Sequence, residues 1–364
     1  GSSAKHRVAQ MHLPGARTRP YYLSYLMNAL FHYYSIYYLA EQAGFSSDDA
    51  GILAYSSQYL DNALVQYVVD TEDGPYETLP THHFGFWDKS REWTVWIPFH
   101  FFPAGPEAAG EGASRRLDGR ENPLNVRPNA ARVKQLLIEA LRSRNLYRVG
   151  IALHTYADSW AHQDFSGRSE EWNRIDQSSP LPPIGHTQVL RDPDGTDATW
   201  SDPRLRMDVA VVDNRSRIAA AAGRIYRYLA TYNRRTFADE ELVVSQLERI
   251  LGEPGRKSAE ERVADFVIEC GMPEYRRTDW RQVAFEGEGA RLDPGFGNGE
   301  FEGTMDKLLW LKDELLHRTK LIKRQPVKGK PGFYRSHLYL WDQAARAQLS
   351  SARSILADLL PAQK

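Results

Sequence analysis

The fold class is decided at residues 150–167, GIALHTYADSWAHQDFSG, a run typical of the last turns of a long helix. His154, Asp158 and His162 recur every four residues, so on a helix they lie within about 80° of one another. Apolar side chains cluster on the adjoining face: Leu146, Val149, Leu153, Ala157 and Trp160. The polar stripe is therefore expected to border the core. Two imidazoles and a carboxylate there are good ligands for zinc or a similar divalent ion.

The apolar patterns around this helix predict an all-α, bundle-like fold of many helices. Residues 21–42 lack proline and internal glycine and predict a buried helix. Ser46 begins an N-cap pattern for a helix that runs to about Val69. Residues 130–161 are predicted as one long helix, and further helices are expected at about 203–236, 239–252, 258–270, 303–323 and 336–359.

We expect one domain with long loops. Residues 1–20 are predicted to be a disordered or tag-derived tail, and residues 21–364 a single α-helical metal-binding domain. Loops are expected over 71–128, 163–203 and 284–303, with an extended piece over 93–103 because Pro98 and Pro103 disfavour a helix there. Loops this long in a compact domain are usually functional or disordered. The Gly-His-Thr-Gln sequence at 185–188 favours function for the second loop.

Composition excludes several classes of protein. The net charge of −1 argues against duplex DNA as the main ligand, although a nucleotide or a single strand needs only a local basic patch. Cys270 is the only cysteine, so a disulfide framework or a thiolate-rich zinc site is excluded within one chain. No apolar run is long enough for a membrane span. The Gly1-Ser2-Ser3 start resembles an expression scar with no signal-peptide core after it, which favours the cytoplasm.

Other segments supply further candidate ligands. His32 in its aromatic helix is by itself typical of a core histidine, and Asp61 at the edge of an apolar stripe needs a metal, a cation or good hydrogen bonds. Histidines also recur at 82, 83, 100 and 186. The alternative for the central helix is a polar network in which Asp158 bridges two histidines. Because histidines and aspartates recur at the ends of several elements, metal binding is favoured over that network.

The local sequences FHYY, WIPFHFFPAG, GIALHTYADSWAHQDFSG and IGHTQVLRDPD resemble an uncharacterised bacterial family. That family is similar to the clan of zinc-dependent phospholipases C and single-strand nucleases, and the resemblance covers roughly residues 22–200. It implies an all-α hydrolase that binds two or three zinc ions and cleaves phosphoesters: phosphodiesters, nucleotides or phospholipids.

The resemblance also implies a ligand set. The early ligands are His32 and Asp61, the central ones His154, Asp158 and His162, and the late one His186. His100 matches the clan's apolar-His-Phe ligand best, with His83 as its competitor and His82 also open. The clan's last histidine is commonly followed by an acid four residues on. That position is Leu190 here, so Asp192 or Asp194 is expected to substitute.

The expected mechanism uses a metal-activated water, with Asp158 bridging two metal ions and Asp61 acting as general base or water-orienting group. Two other functions stay open. The same ligands suit iron or manganese in an oxygen-activating enzyme. Alternatively, the metal stabilises the long loops of a non-catalytic module whose surface binds a partner protein.

Overall fold

The computed structural model describes residues 29–82, 89–190, 192–287 and 324–361. Several predictions fall outside these ranges: the N-terminal tail, the start of the first helix, His83 as a ligand, most of the loop over 284–303 and the helix over 303–323. The described part is rich in helix and carries two small sheets. None of its helices is long and apolar enough to cross a membrane.

The predicted helices that fall in the described residues appear in the predicted order, but the loop predicted over 71–128 is partly wrong, because it contains two short helices, Ile97–Phe99 and Ala109–Arg115. A π-helical segment, Leu30–Ser35, continues into α1, and a second one, Glu92–Trp96, continues into the short α3. In chain order the α-helices are α1 (Ile36–Gln42), α2 (Ser47–Asn62), α3 (Ile97–Phe99), α4 (Ala109–Arg115), α5 (Ala131–Arg142), α6 (Leu146–Ala161), α7 (Asn214–Tyr232), α8 (Glu240–Leu251), α9 (Ala259–Cys270), α10 (Asp279–Ala284) and α11 (His337–Ile355).

Helix α6 lies at the centre, packed against α2, α5, α7 and α11. Its contact with α2 is close enough to require a glycine. A Cβ on Gly150 would lie 2.4 Å from the carbonyl oxygen of Leu53 and 2.6 Å from the Cβ of Ser56. Burial on this face extends through most of α6, from Val149 to Trp160. The polar stripe is therefore enclosed by the core, deeper than the border position predicted for it.

The long helix predicted over 130–161 is wrong at one point, because a turn at residues 143–145 divides it into α5 and α6. Arg144 adopts a left-handed backbone with φ of 55°. The side chain of Asn145 then accepts a hydrogen bond from the backbone N–H of Arg148 and caps α6. An asparagine that offers this local acceptor favours a new helix start over continuation of the old helix.

The prediction of a purely all-α fold is wrong, because five short strands are present. Strand β1 (Gln66–Thr71) pairs antiparallel with β2 (Gly74–Glu77) and parallel with β5 (Arg324–Lys328). Strands β3 (Thr199–Ser201) and β4 (Val211–Asp213) form an antiparallel pair. The helix predicted to reach Val69 ends at Asn62 because the segment after it is rich in valine and tyrosine with alternating burial, a strand pattern. Strand β4 likewise moves the start of the predicted 203–236 helix to Asn214.

The segment predicted as extended over 93–103 is helical up to Phe99. Pro98 occupies the second position of α3. It follows directly on the π-helical turns, where the regular i→i−4 hydrogen-bond pattern that a proline interrupts is already replaced. The chain leaves the helix at His100, which places the imidazole and the backbone carbonyl of this residue beside α6.

Candidate metal centre

Among the described residues, nine histidine and aspartate side chains form three groups. In each group, one potential ligand atom per residue lies within 4.8 Å of the others. The groups are His32, His154 and Asp158; Asp61, His82 and His100; and His162, His186 and Asp194. The first two groups draw on helices α2 and α6 and the segments beside them. The third joins the end of α6 to the loop over 163–203.

Asp158 connects these groups through both of its oxygens. Its Oδ1 lies 3.3 Å from Nε2 of His32, and its Oδ2 lies 3.2 Å from Nε2 of His154 and 3.3 Å from Nδ1 of His100. The same Oδ2 lies 3.6 Å from Nδ1 of His162. The side chain is almost fully buried, so its charge is shielded from water and available to cations in the cluster.

Four of these atoms surround one point. Nδ1 of His100 and Nε2 of His154 lie 3.2 Å apart, and Oδ2 of Asp158 lies 3.3 and 3.2 Å from them. Oδ1 of Asp61 lies 3.7 Å from the first nitrogen and 3.5 Å from the second. Ligand bonds of about 2.0–2.1 Å in a tetrahedral site place ligand atoms roughly 3.3–3.5 Å apart. Five of the six distances among these four atoms are therefore close to the edge length of a zinc tetrahedron.

Backbone carbonyls fix the orientation of three histidine rings. Nε2 of His100 donates to the carbonyl of Thr81 at 2.9 Å, and Nδ1 of His162 donates to the carbonyl of His100 at 2.8 Å. Nδ1 of His186 donates to the carbonyl of Leu190 at 2.7 Å. In the neutral ring, the other nitrogen then presents a lone pair to the cluster. This arrangement is the usual support for a metal-bound histidine.

The third group forms at the C-terminal end of α6. Asp194 places Oδ1 3.2 Å from Nε2 of His162 and Oδ2 3.5 Å from Nε2 of His186. Leu190 adopts a positive φ of 52°, which turns its carbonyl back toward the ring of His186. The loop is tied down beyond the group, where Arg262 of α9 donates to the carboxylate of Asp197 at 2.5 Å.

The charges in the cluster depend on one another. Burial alone raises the pKa of Asp158, but the positive charge of His162 and the close contacts with the other histidines outweigh burial and hold this pKa well below its usual range. Burial lowers the pKa of His162, yet Asp158 and Asp194 outweigh burial and raise it to about 9. Burial and the neighbouring His32 lower the pKa of His154. The carboxylate is thus held in its charged form, and the ring of His154 in the neutral form that binds metals.

A cleft reaches the cluster from outside. His32, Asp158, Asp194 and Arg217 line it together with apolar side chains. Candidate ligands of the first and third groups therefore face this cleft.

The structure brings together all the described residues of the predicted ligand set: His32, Asp61, His100, His154, Asp158, His162 and His186. His82 joins Asp61 and His100, whereas His83 lies outside the described residues, so the choice among His82, His83 and His100 stays a prediction. Asp194, which the sequence offered only as a substitute beside Asp192, belongs to the third group. The Asp-Pro-Asp sequence after His186 was the available signal for it.

The chain belongs to DUF6765, a family of unknown function, which matches residues 27–356. No curated protein and no solved structure matches the chain. The family description carries no activity, so the relation to the phospholipase C and nuclease clan stays a prediction.

Proposed function

We propose that the chain is a divalent-metal hydrolase of the zinc type that acts on phosphoesters. The observation that carries this proposal is the convergence of His100, His154, Asp158 and Asp61 with the spacing of a tetrahedral ligand set. With both rings neutral and no cation present, the inward nitrogens of His100 and His154 would face each other and two carboxylates. Too few protons would then lie between these four atoms to form hydrogen bonds among them. A cation satisfies all four atoms at once.

The donor atoms favour zinc over other metals. All of them are imidazole nitrogens and carboxylate oxygens. The similar distances among the four atoms suit a tetrahedral ion such as zinc better than an ion that prefers octahedral geometry. The three groups provide for two or three ions. Iron or manganese with the same ligands remains the alternative cofactor, and it would favour oxygen activation over hydrolysis.

The chemistry follows from the positions of the side chains. Bound zinc supplies Lewis acidity and lowers the pKa of a coordinated water to about 7. Asp158 stays ionised between the groups, and the carbonyl of Thr81 keeps Nδ1 of His100 directed inward. Asp61 is 12% exposed at the edge of the cluster. In the catalytic state it would leave the fourth coordination position to a water and would orient that water or accept its proton.

The substrates that we propose are small phosphoesters. The candidates are a nucleotide, a phospholipid head group and one residue of a single-stranded nucleic acid, and the cleft lined by His32, Asp158 and Asp194 is the side from which they would reach the cluster. The phosphoester class itself comes from the sequence resemblance.

Metal analysis and an activity assay test the proposal. Protein purified without added metal is expected to contain two or three zinc ions and to hydrolyse bis(p-nitrophenyl) phosphate. Chelation should abolish this activity and added zinc should restore it. Asp61→Asn should reduce turnover by at least 100-fold, whereas Asp48→Asn, an exposed carboxylate at the opposite end of α2, should not. Iron in place of zinc would support the oxygen-activating alternative. Metal without any turnover would support the non-catalytic one.

A further inference from the structure

Arg217 is the one arginine among the described residues that line the cleft. It lies in the first turn of α7 and lines the same wall region as His32, Asp158 and Asp194. The rest of the cleft is mostly apolar and includes Trp160. A positive side chain therefore lies beside the candidate ligands, where a substrate entering the cleft would pass.

The guanidinium group of Arg217 has donors to spare. Arginine carries five N–H donors. Within the described parts of the chain, Arg217 makes one hydrogen bond, to the carbonyl of Ala161 at 3.4 Å, and forms no ion pair with a carboxylate. This one long hydrogen bond leaves most of the N–H donors of the guanidinium group without an acceptor in the described residues.

Neighbouring arginines already hold the closest available carboxylate. Asp164 is fully buried and accepts hydrogen bonds from Arg115 at 3.0 Å and from Arg127 at 3.3 Å. The charges of Asp164 and Asp202 both act on Arg217. Asp202 is likewise bonded to another arginine, Arg204. Both carboxylates are therefore already paired, and neither forms an ion pair with Arg217.

Arg217 remains charged in this setting. Burial lowers the pKa of its guanidinium group to about 10, which leaves the group protonated at neutral pH. Keeping a partly desolvated cation without a carboxylate partner costs free energy. An anionic ligand in the cleft would repay that cost, since it would supply the missing acceptors.

We propose that Arg217 binds the oxyanion of the substrate, so that the cleft selects phosphate groups held between this guanidinium and the candidate metal ligands. The planar fork of arginine donates two parallel hydrogen bonds to two oxygens of one phosphate. This inference rests on the proposed hydrolase and assigns the residue that recognises its substrate class. Trp160 and the other apolar side chains then contact the uncharged part of the substrate.

Calorimetric titration of the zinc-loaded protein with inorganic phosphate tests this assignment. Arg217→Met is expected to weaken phosphate binding by at least tenfold at unchanged zinc content. Arg217→Lys keeps the charge and loses the fork, so it should weaken binding less. Arg224→Met is the matched control, because Arg224 is exposed on the same helix and lies outside the cleft lining. Its phosphate affinity should equal that of the wild type.

The possible results separate the two proposals. Equal phosphate affinity in wild type and Arg217→Met, at equal zinc content, overturns the role of Arg217 and leaves the hydrolase standing. Loss of zinc from both Arg217 variants overturns it as well, because Arg217 would then support the fold of the centre. Acetate binding as tight as phosphate binding overturns the selection for phosphate. A wild-type protein that binds no zinc overturns the proposed function itself.

Discussion

His162 and Asp194 face each other across the end of α6, with Nε2 of the ring 3.2 Å from Oδ1 of the carboxylate. The other nitrogen of the ring donates to the carbonyl of His100. One histidine thereby joins the helical part of the cluster to the loop that carries Asp194 and His186. The helical groups and the loop group can therefore be separated by mutation.

Asp194→Asn is expected to remove one zinc ion and leave the others. The amide loses the negative charge that faces both His162 and His186, while the four-atom set around His100 keeps all its members. Zinc content measured by mass spectrometry should fall by about one equivalent. Asp208→Asn, an exposed carboxylate paired with Arg206, is the control and should lose none. Loss of all zinc from Asp194→Asn would contradict this prediction, because the four-atom set could then not hold its ion without the loop group.

Asp158→Asn is expected to have the larger effect. Its carboxylate contacts histidines of every group, so its neutralisation should lower zinc content by more than one equivalent and abolish phosphoester hydrolysis. Asp342→Asn is a suitable control, because Asp342 is equally buried but bonded to Tyr76 and Arg346, away from the histidines. That variant should lose stability and keep its zinc. Full zinc content in Asp158→Asn would rule out the central role of this carboxylate.

Gly150→Ala tests the packing that positions the cluster. The added Cβ would meet the backbone of Leu53 on α2, which cannot move without shifting the helix that carries Asp61. We expect a loss of about 1–3 kcal/mol in the free energy of unfolding, measured by chemical denaturation, together with weaker zinc binding. Gly51→Ala on α2 is the matched control, since its Cβ would come no closer than 3.7 Å to Tyr37. That change should be neutral or slightly stabilising.

The stability of the metal-free protein is expected to fall as the pH rises from 7 to 10. In the folded chain Asp158 and Asp194 raise the pKa of His162 to about 9, from 6.5 in the unfolded chain. Protonated His162 therefore contributes its full stabilisation below pH 6.5, and this contribution is lost as the pH rises through about 9. Denaturation of chelated protein should show a loss of a few kcal/mol, and His162→Gln should flatten the profile. The zinc-loaded protein should instead lose stability as the pH falls, because protons then compete with zinc for the ring nitrogens.

The sequence predicted the helical order and the assembly of the candidate site better than it predicted the helix ends. The i, i+4 spacing of His154, Asp158 and His162 is a local property of a helix, so it was readable without the fold. Asp194 and His82 were harder to assign, because only the course of the loops brings them to the cluster. The pairing of β1 with β5 joins residues more than 250 positions apart, and no local pattern reveals such a partner.

The shared position of Asp158 makes metal loading a coupled equilibrium. Its Oδ1 faces His32, while Oδ2 faces the other histidines, so an ion on one side draws on the same negative charge that attracts an ion on the other. Each bound ion must then change the affinity for the next, and linkage requires the change to be mutual. The order in which the groups fill, and the zinc concentration at which the protein responds, are thus set together by a single side chain.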